Sequence, residues 1–212
     1  MIIVFANIVS FAYLIPFLIG LGKFSYLGKR EKTYFYFITV ATFCSLLSYI
    51  TSQLGNNLFV AYIFNTSEIL VLPFFLLSDS DKKSYKPIWV LGVIIGLGLI
   101  LFEALIREGG TSMFNSLSLT YAAFMLSALS IRSLLKLRYD PNLYDLSKSP
   151  EFWFTLSTGV YYLGSILIFS CLRLFQQQDM QLLFNIFTAR LFIITISIFL
   201  ATWGFIKVKR SP

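Results

Sequence analysis

Long apolar stretches separated by short links constrain this chain more than any other feature. A helix rising 1.5 Å per residue needs about 20 apolar residues to cross the hydrocarbon core of a bilayer. Seven runs of that kind are legible, at residues 2–22, 33–53, 58–77, 87–106, 113–131, 151–174 and 182–205. They leave only short connections, so no separate soluble domain fits between them. Composition agrees: 13% of the 212 residues are charged and 57% are apolar, against about 25% charged in ordinary soluble domains. The expected fold is all-α: one polytopic membrane domain over residues 1–212, a bundle of seven transmembrane helices.

Charge in the links sets the orientation. Lys23, Lys29, Arg30 and Lys32 follow the first run, and Lys82, Lys83 and Lys86 follow the third. Arg132, Lys136, Arg138 and Lys148 follow the fifth, and Lys207, Lys209 and Arg210 come after the last. The alternate links hold no basic residue, then Arg107, then Arg173. Cytoplasmic loops carry the excess of Lys and Arg, so the N-terminus is expected outside and the C-terminus in the cytoplasm. The tryptophans point the same way. Trp89 and Trp153 start runs leaving the basic side and Trp203 ends the run returning to it, the depth that amphipathic rings prefer. This arrangement accounts for the net charge of +7, so no nucleic-acid partner is expected. Anionic lipid of the bilayer is the expected partner of the basic links.

The N-terminus has no basic lead and no small-residue cleavage site, so the first run is read as a retained span. Cys44 and Cys171 both fall within runs and fit neither a disulfide framework nor a metal-binding pair. Thr39, Thr42, Ser45, Ser48 and Ser52 give the second run a face of small polar residues, which favours close helix packing over a pathway. Gly92 and Gly96 form a GxxxG in the fourth run, a pattern for one tight helix contact. Ser149-Pro150-Glu151 has the order of a helix start: a cap, a first-turn proline and an acid.

Chemistry concentrates in the stretch Asn56 to Leu77, which contains the third run and reads NNLFVAYIFNTSEILVLPFFLL. Asn65-Thr66-Ser67-Glu68 interrupts its middle, and a carboxylate at that depth costs about 2.5–3.5 kcal/mol on insertion scales. Counting from the outer ends of their runs, Glu68 lies about 15 Å deep and Arg190 about 12 Å deep. An ion pair between them is the economical expectation. Asn65 and Asn185 sit about a turn further out on the same two helices. Tyr62, Tyr161 and Tyr162 are available as hydroxyl donors, and Glu103 is available near the outer mouth. Three readings stand side by side: a structural pair fixing register, a small-ligand or ion site open to the outside, or two residues that never meet.

Histidine is absent, which excludes His-ligated haem, HExxH zinc sites and Ser-His or Cys-His nucleophiles. No Asp lies within a run, and the seventh run has no Lys for a retinal Schiff base. No metal, cofactor or enzymatic activity is expected.

Asn56-Asn57, Tyr62 and Glu68, with Pro150-Glu151-Phe152-Trp153, Gly159, Tyr161 and Gly164, resemble a pattern found in small seven-span proteins of Bacteroidota-type bacteria. Members carry a His in the third span near the position of Tyr62, and this chain has none, so no His chemistry carries over. The resemblance implies a multi-pass protein of the bacterial inner membrane, encoded near two-component signalling genes. It brings no activity with it. The leading expectation is a non-enzymatic sensor or accessory module with a polar site around Glu68 and Arg190 and a membrane or cytoplasmic protein partner. The alternatives are a small-solute or ion transporter and a structural subunit of a membrane complex.

Overall fold

The computed structural model describes residues 8–9, 11–52, 57–77, 86–107, 116–141, 143, 145–175 and 180–209. Its helices are α1 (Leu14–Gly22), α2 (Lys29–Ser52), α3 (Leu58–Leu76), α4 (Lys86–Leu101), α5 (Ser116–Arg138), α6 (Pro150–Phe175) and α7 (Met180–Lys207). Single 3-10 turns occur at Phe24–Tyr26 and Leu146–Lys148, and α4 continues as a π-helical turn, Phe102–Ile106. There is no strand among the described residues. Among the described residues six helices, α2 to α7, with α4 counted through its π turn, are long and apolar enough to cross a membrane. The first residues of the first run, Lys82 and Lys83, and Gly109 and Gly110 lie outside the described residues, as do the side chains of Cys171 and Arg173.

Two helices extend well past the runs expected from the sequence, because caps, not the bilayer edge, end a helix. α2 begins at Lys29 rather than 33, where the Gly28 N–H donates to Glu31 Oε2 at 2.8 Å. α5 continues to Arg138 rather than 131, with Lys136 and Arg138 in a last turn whose dipole favours cations. α6 starts at Pro150, as the Ser-Pro-Glu order anticipates.

Small residues set the closest approaches. A Cβ on Gly96 would lie 2.9 Å from Ile69 Cδ1. One turn away the Tyr121 hydroxyl donates to the Gly92 carbonyl at 2.8 Å. The GxxxG of α4 thus packs against α3 and α5. A Cβ on Gly164 would come 2.8 Å from Ile193 Cδ1, which holds α6 against α7. The other faces of α4 point outward, with Ile88, Leu91, Leu105 and Ile106 all exposed, as lipid-facing residues would be.

The basic end is tied together by charged side chains acting on helix termini. Arg30 on α2 donates from Nε and Nη2 to the Phe75 carbonyl, at 3.1 and 2.8 Å. That carbonyl lies in the last turn of α3, whose oxygens lack helical partners. The same guanidinium pairs with Glu151 in the first turn of α6 at 2.7 Å. Lys23 Nζ donates to the carbonyls of Ile206 and Val208 at the end of α7, at 2.7 and 2.8 Å. Trp153 and Trp203 meet edge to face at 6.3 Å, and Trp89 packs on Phe74 at 5.1 Å. All three tryptophans therefore sit at this one end. Just inside lies an aromatic core in which Tyr34 stacks on Phe154 at 4.5 Å and Phe154 meets Phe205 at 4.6 Å.

Candidate functional site

Polar groups within the bundle change character along its length. Toward the basic end a tyrosine and two serines satisfy one another, although Thr155 Oγ1 and Trp89 Nε1 are buried there without a partner. The Tyr34 hydroxyl donates to Ser157 Oγ at 3.1 Å, and Ser157 and Ser197 exchange contacts at 2.8 to 3.1 Å, linking α2, α6 and α7. Further along α6 and α3 the partners run out. Glu68, Asn65, Tyr162 and Ser165 are all buried to 1% exposure or less. Both oxygens of Glu68, both amide atoms of Asn65, and the hydroxyls of Tyr162 and Ser165 make no hydrogen bond. Asn65 and Glu68 lie three apart on α3, and Tyr162 and Ser165 lie three apart on α6, so each pair shares a helix face. A buried polar group without a partner costs about 1–3 kcal/mol, more when charged. Concentrating several in one place is a feature of function rather than of stability.

Glu68 and Arg190 occupy the same polar region without forming the expected ion pair. The groups that act on the Glu68 charge are the Tyr162 hydroxyl and the Arg190 guanidinium. Neither makes a hydrogen bond to it. Arg190 instead lies with Cζ 5.1 Å from the centre of the Phe169 ring, and its Nε is buried without an acceptor. The hydroxyl of Tyr161 lies within electrostatic reach of Arg190. Both neighbouring tyrosines lie within reach of Glu68, and Tyr161 lies within reach of Arg190 as well.

Arg190 borders a cavity of about 420 Å³ formed by α2, α3, α6, α7 and the segment leading into α1. Its polar lining comprises Tyr13, Ser45, Ser48, Asn57, Tyr161 and Arg190, and the rest is apolar, including Leu58, Phe64, Phe187 and Ile194. Its volume falls in the range of small-molecule sites. Asn57 Nδ2 donates to Ser48 Oγ at 3.0 Å, joining α2 to the start of α3 at the end opposite the tryptophans. Beyond Tyr161 a void of about 10 Å³ is lined by Tyr13, Tyr34, Tyr161, Tyr162, Ser157 and Ser197, the space of roughly one water. It shares Tyr13 and Tyr161 with the cavity and Ser157 and Ser197 with the serine network.

Three expected members of the site lie elsewhere. Glu103 is fully buried, but its carboxylate accepts from the Leu117 and Ser118 N–H groups at 2.9 and 3.0 Å and from Ser118 Oγ at 2.6 Å. Arg107 pairs with it at 3.1 Å. It therefore caps the N-terminus of α5, where unpaired N–H groups and the helix dipole favour an anion. The π turn places it there. Tyr62 belongs with this cap, since Glu103 and Arg107 are the charges that act on it. Asn185 is exposed on α7 rather than turned into the polar region.

Comparison with known proteins adds no relative. No protein-family model, curated protein or solved structure matches this chain.

Some lining residues were not singled out as site residues from the sequence. Tyr13 is one. Its carbonyl accepts from Thr42 Oγ1 at 3.2 Å and from the Phe17 N–H at 3.3 Å, which fixes the chain at the N-terminal edge of α1. Ser45 and Ser48 were read as a packing face. Thr42 does pack that way, but the two serines border the cavity. The signal was present in the period of the hydroxyls, and periodicity alone does not tell a packed face from a lining one. Among the described residues no group of His, Cys, Asp and Glu is arranged to hold a metal.

Proposed function

We propose that this chain is a seven-span protein of the bacterial cytoplasmic membrane, with its N-terminus outside, that acts as a sensor or accessory module rather than as an enzyme. A small ligand is read at the Arg190 cavity, and the basic face presents the result to a protein partner. The observation that carries the reading is the cavity itself. It lies toward the end away from the basic residues and the tryptophans, and five segments of the bundle wall it, so occupancy bears on their relative positions. Among those helices, α2, α3 and α6 meet again at the basic end through Arg30, Phe75 and Glu151. A change in spacing at the cavity has a physical route to that surface. Absence of any signalling difference between the deletion strain and its parent, across growth conditions that change the external solutes, would remove this reading.

A second reading, a small transporter, is favoured by one observation: Glu68 is buried at mid-span depth and carries no hydrogen bond. Such carboxylates mark ion and proton pathways in membrane proteins. Flux in proteoliposomes that Glu68→Gln abolishes would establish it over the sensor. Absence of flux across a panel of ions and small solutes would leave the sensor.

A further inference from the structure

We infer that the cavity between α2, α3, α6 and α7 is a carboxylate site: it takes a small monocarboxylate whose charge rests on Arg190 and whose apolar body lies between α3 and α7. This rests on the ligand-site reading and adds the class of ligand. Among the described residues Arg190 is the only cation lining the cavity, and no acid lines it. The guanidinium has no ion pair among the described residues, and its buried Nε has no acceptor. Glu68 and Tyr161 act on its charge from nearby, but among the described residues no carboxylate engages the guanidinium directly. A planar fork of N–H donors matches a carboxylate in two parallel hydrogen bonds, which a point charge does not.

The neighbours of Arg190 favour the same class. Tyr161 offers a hydroxyl beside it, and Ser45, Ser48 and Asn57 supply neutral polar groups. Leu58, Phe64, Phe187 and Ile194 supply walls that suit a hydrocarbon or aromatic body and would leave a sugar or polyphosphate unsolvated. Glu68 is the carboxylate that acts on this region, yet it does not line the cavity, and among the described residues it forms no ion pair with Arg190 and neither of its oxygens makes a hydrogen bond. The site is thus built for a carboxylate supplied from outside the chain.

The test uses the full chain in lipid nanodiscs and measures binding calorimetrically. Probes are butyrate, benzoate and decanoate, each beside its own uncharged amide. At least one acid is expected to bind tenfold or more tightly than its amide. Arg190→Gln should bring that acid down to the level of the amide, while Arg190→Lys retains part of the preference. Preference for butyrate or benzoate identifies a water-soluble ligand, and preference for decanoate alone identifies a fatty acid arriving from the bilayer; both support a carboxylate site. Amides binding as tightly as acids would overturn the inference and leave the ligand-site reading intact. Binding by neither acids nor amides would overturn both. If Arg190→Gln does not fold, the comparison of acid with amide on the unaltered chain decides alone.

Discussion

Glu103 and Glu68 are two carboxylates with the same burial and opposite surroundings. Both are at 0% exposure within the helical bundle. Glu103 accepts from two backbone N–H groups, a serine hydroxyl and Arg107. Glu68 accepts from nothing. In the first case the bundle supplies donors from a helix terminus, and the acid fixes the junction of α4 and α5. In the second the helices approach without supplying donors, although Arg190 lies in the same region. A buried charge with every lone pair engaged is part of the scaffold. One left without partners in a low-dielectric interior is tolerated at the expense of stability, which is where a role in binding or transfer is expected.

That contrast can be broken by substitution, and the largest effect belongs to Glu103. Glu103→Ala strands the α5 terminus and Arg107, so unfolding in detergent micelles should show a loss of about 3–5 kcal/mol. At the basic end, Arg30→Gln removes the ion pair with Glu151 and the contacts to the Phe75 carbonyl. These groups are partly exposed, so the loss should be nearer about 1–2 kcal/mol in the same assay. Glu68→Leu should have the opposite sign, raising stability by up to about 1–3 kcal/mol as an orphan polar group is replaced by an apolar one.

The smallest effect lies in the loop before α6. Asp145 Oδ1 accepts from the Ser147 N–H and hydroxyl at 3.0 and 2.6 Å, and Lys148 lies 3.2 Å from Oδ2. The Ser147 hydroxyl, followed by the Lys148 hydrogen bond, holds the Asp145 carboxyl below the usual aspartate range. A depressed folded value means the contribution is present above the unfolded pKa and disappears as pH falls through the folded one. The thermal midpoint should therefore fall slightly more on acidification below about pH 4 for the unaltered chain than for Asp145→Asn. Equal falls would remove Asp145 from the account.

Much of the fold was legible in the sequence because bilayer thickness, loop charge and glycine spacing are local signals. The helix start at Pro150, the gathering of Trp89, Trp153 and Trp203 at one end, and the tight contact at Gly92 and Gly96 all followed from them. Depth counting put Glu68 and Arg190 at similar depth, and the Arg190 guanidinium acts on the Glu68 charge. Counting did not give their pairing, because depth leaves the angular position of each side chain on its helix open. Tyr161 and Tyr162 show the difficulty: they are neighbours in sequence, yet Glu68 and Arg190 both act on the first, whereas Glu68 is the charged group that acts on the second. Glu103 was misplaced for a related reason. The sequence puts it near the end of an apolar run, and only the π turn shows that it reaches across to cap α5. Asn185 shares a helix with Arg190 but not its face.

The most direct measurement is a side-by-side unfolding comparison of Glu68→Gln and Glu103→Gln in the same nanodiscs. Both changes replace a carboxyl by an amide with little change in shape. If Glu103 is scaffold and Glu68 is held without partners, Glu103→Gln lowers the unfolding midpoint sharply and Glu68→Gln leaves it unchanged or raises it. A fall for Glu68→Gln as large as that for Glu103→Gln would contradict the account, because it would mean that Glu68 is held by partners as firmly as Glu103.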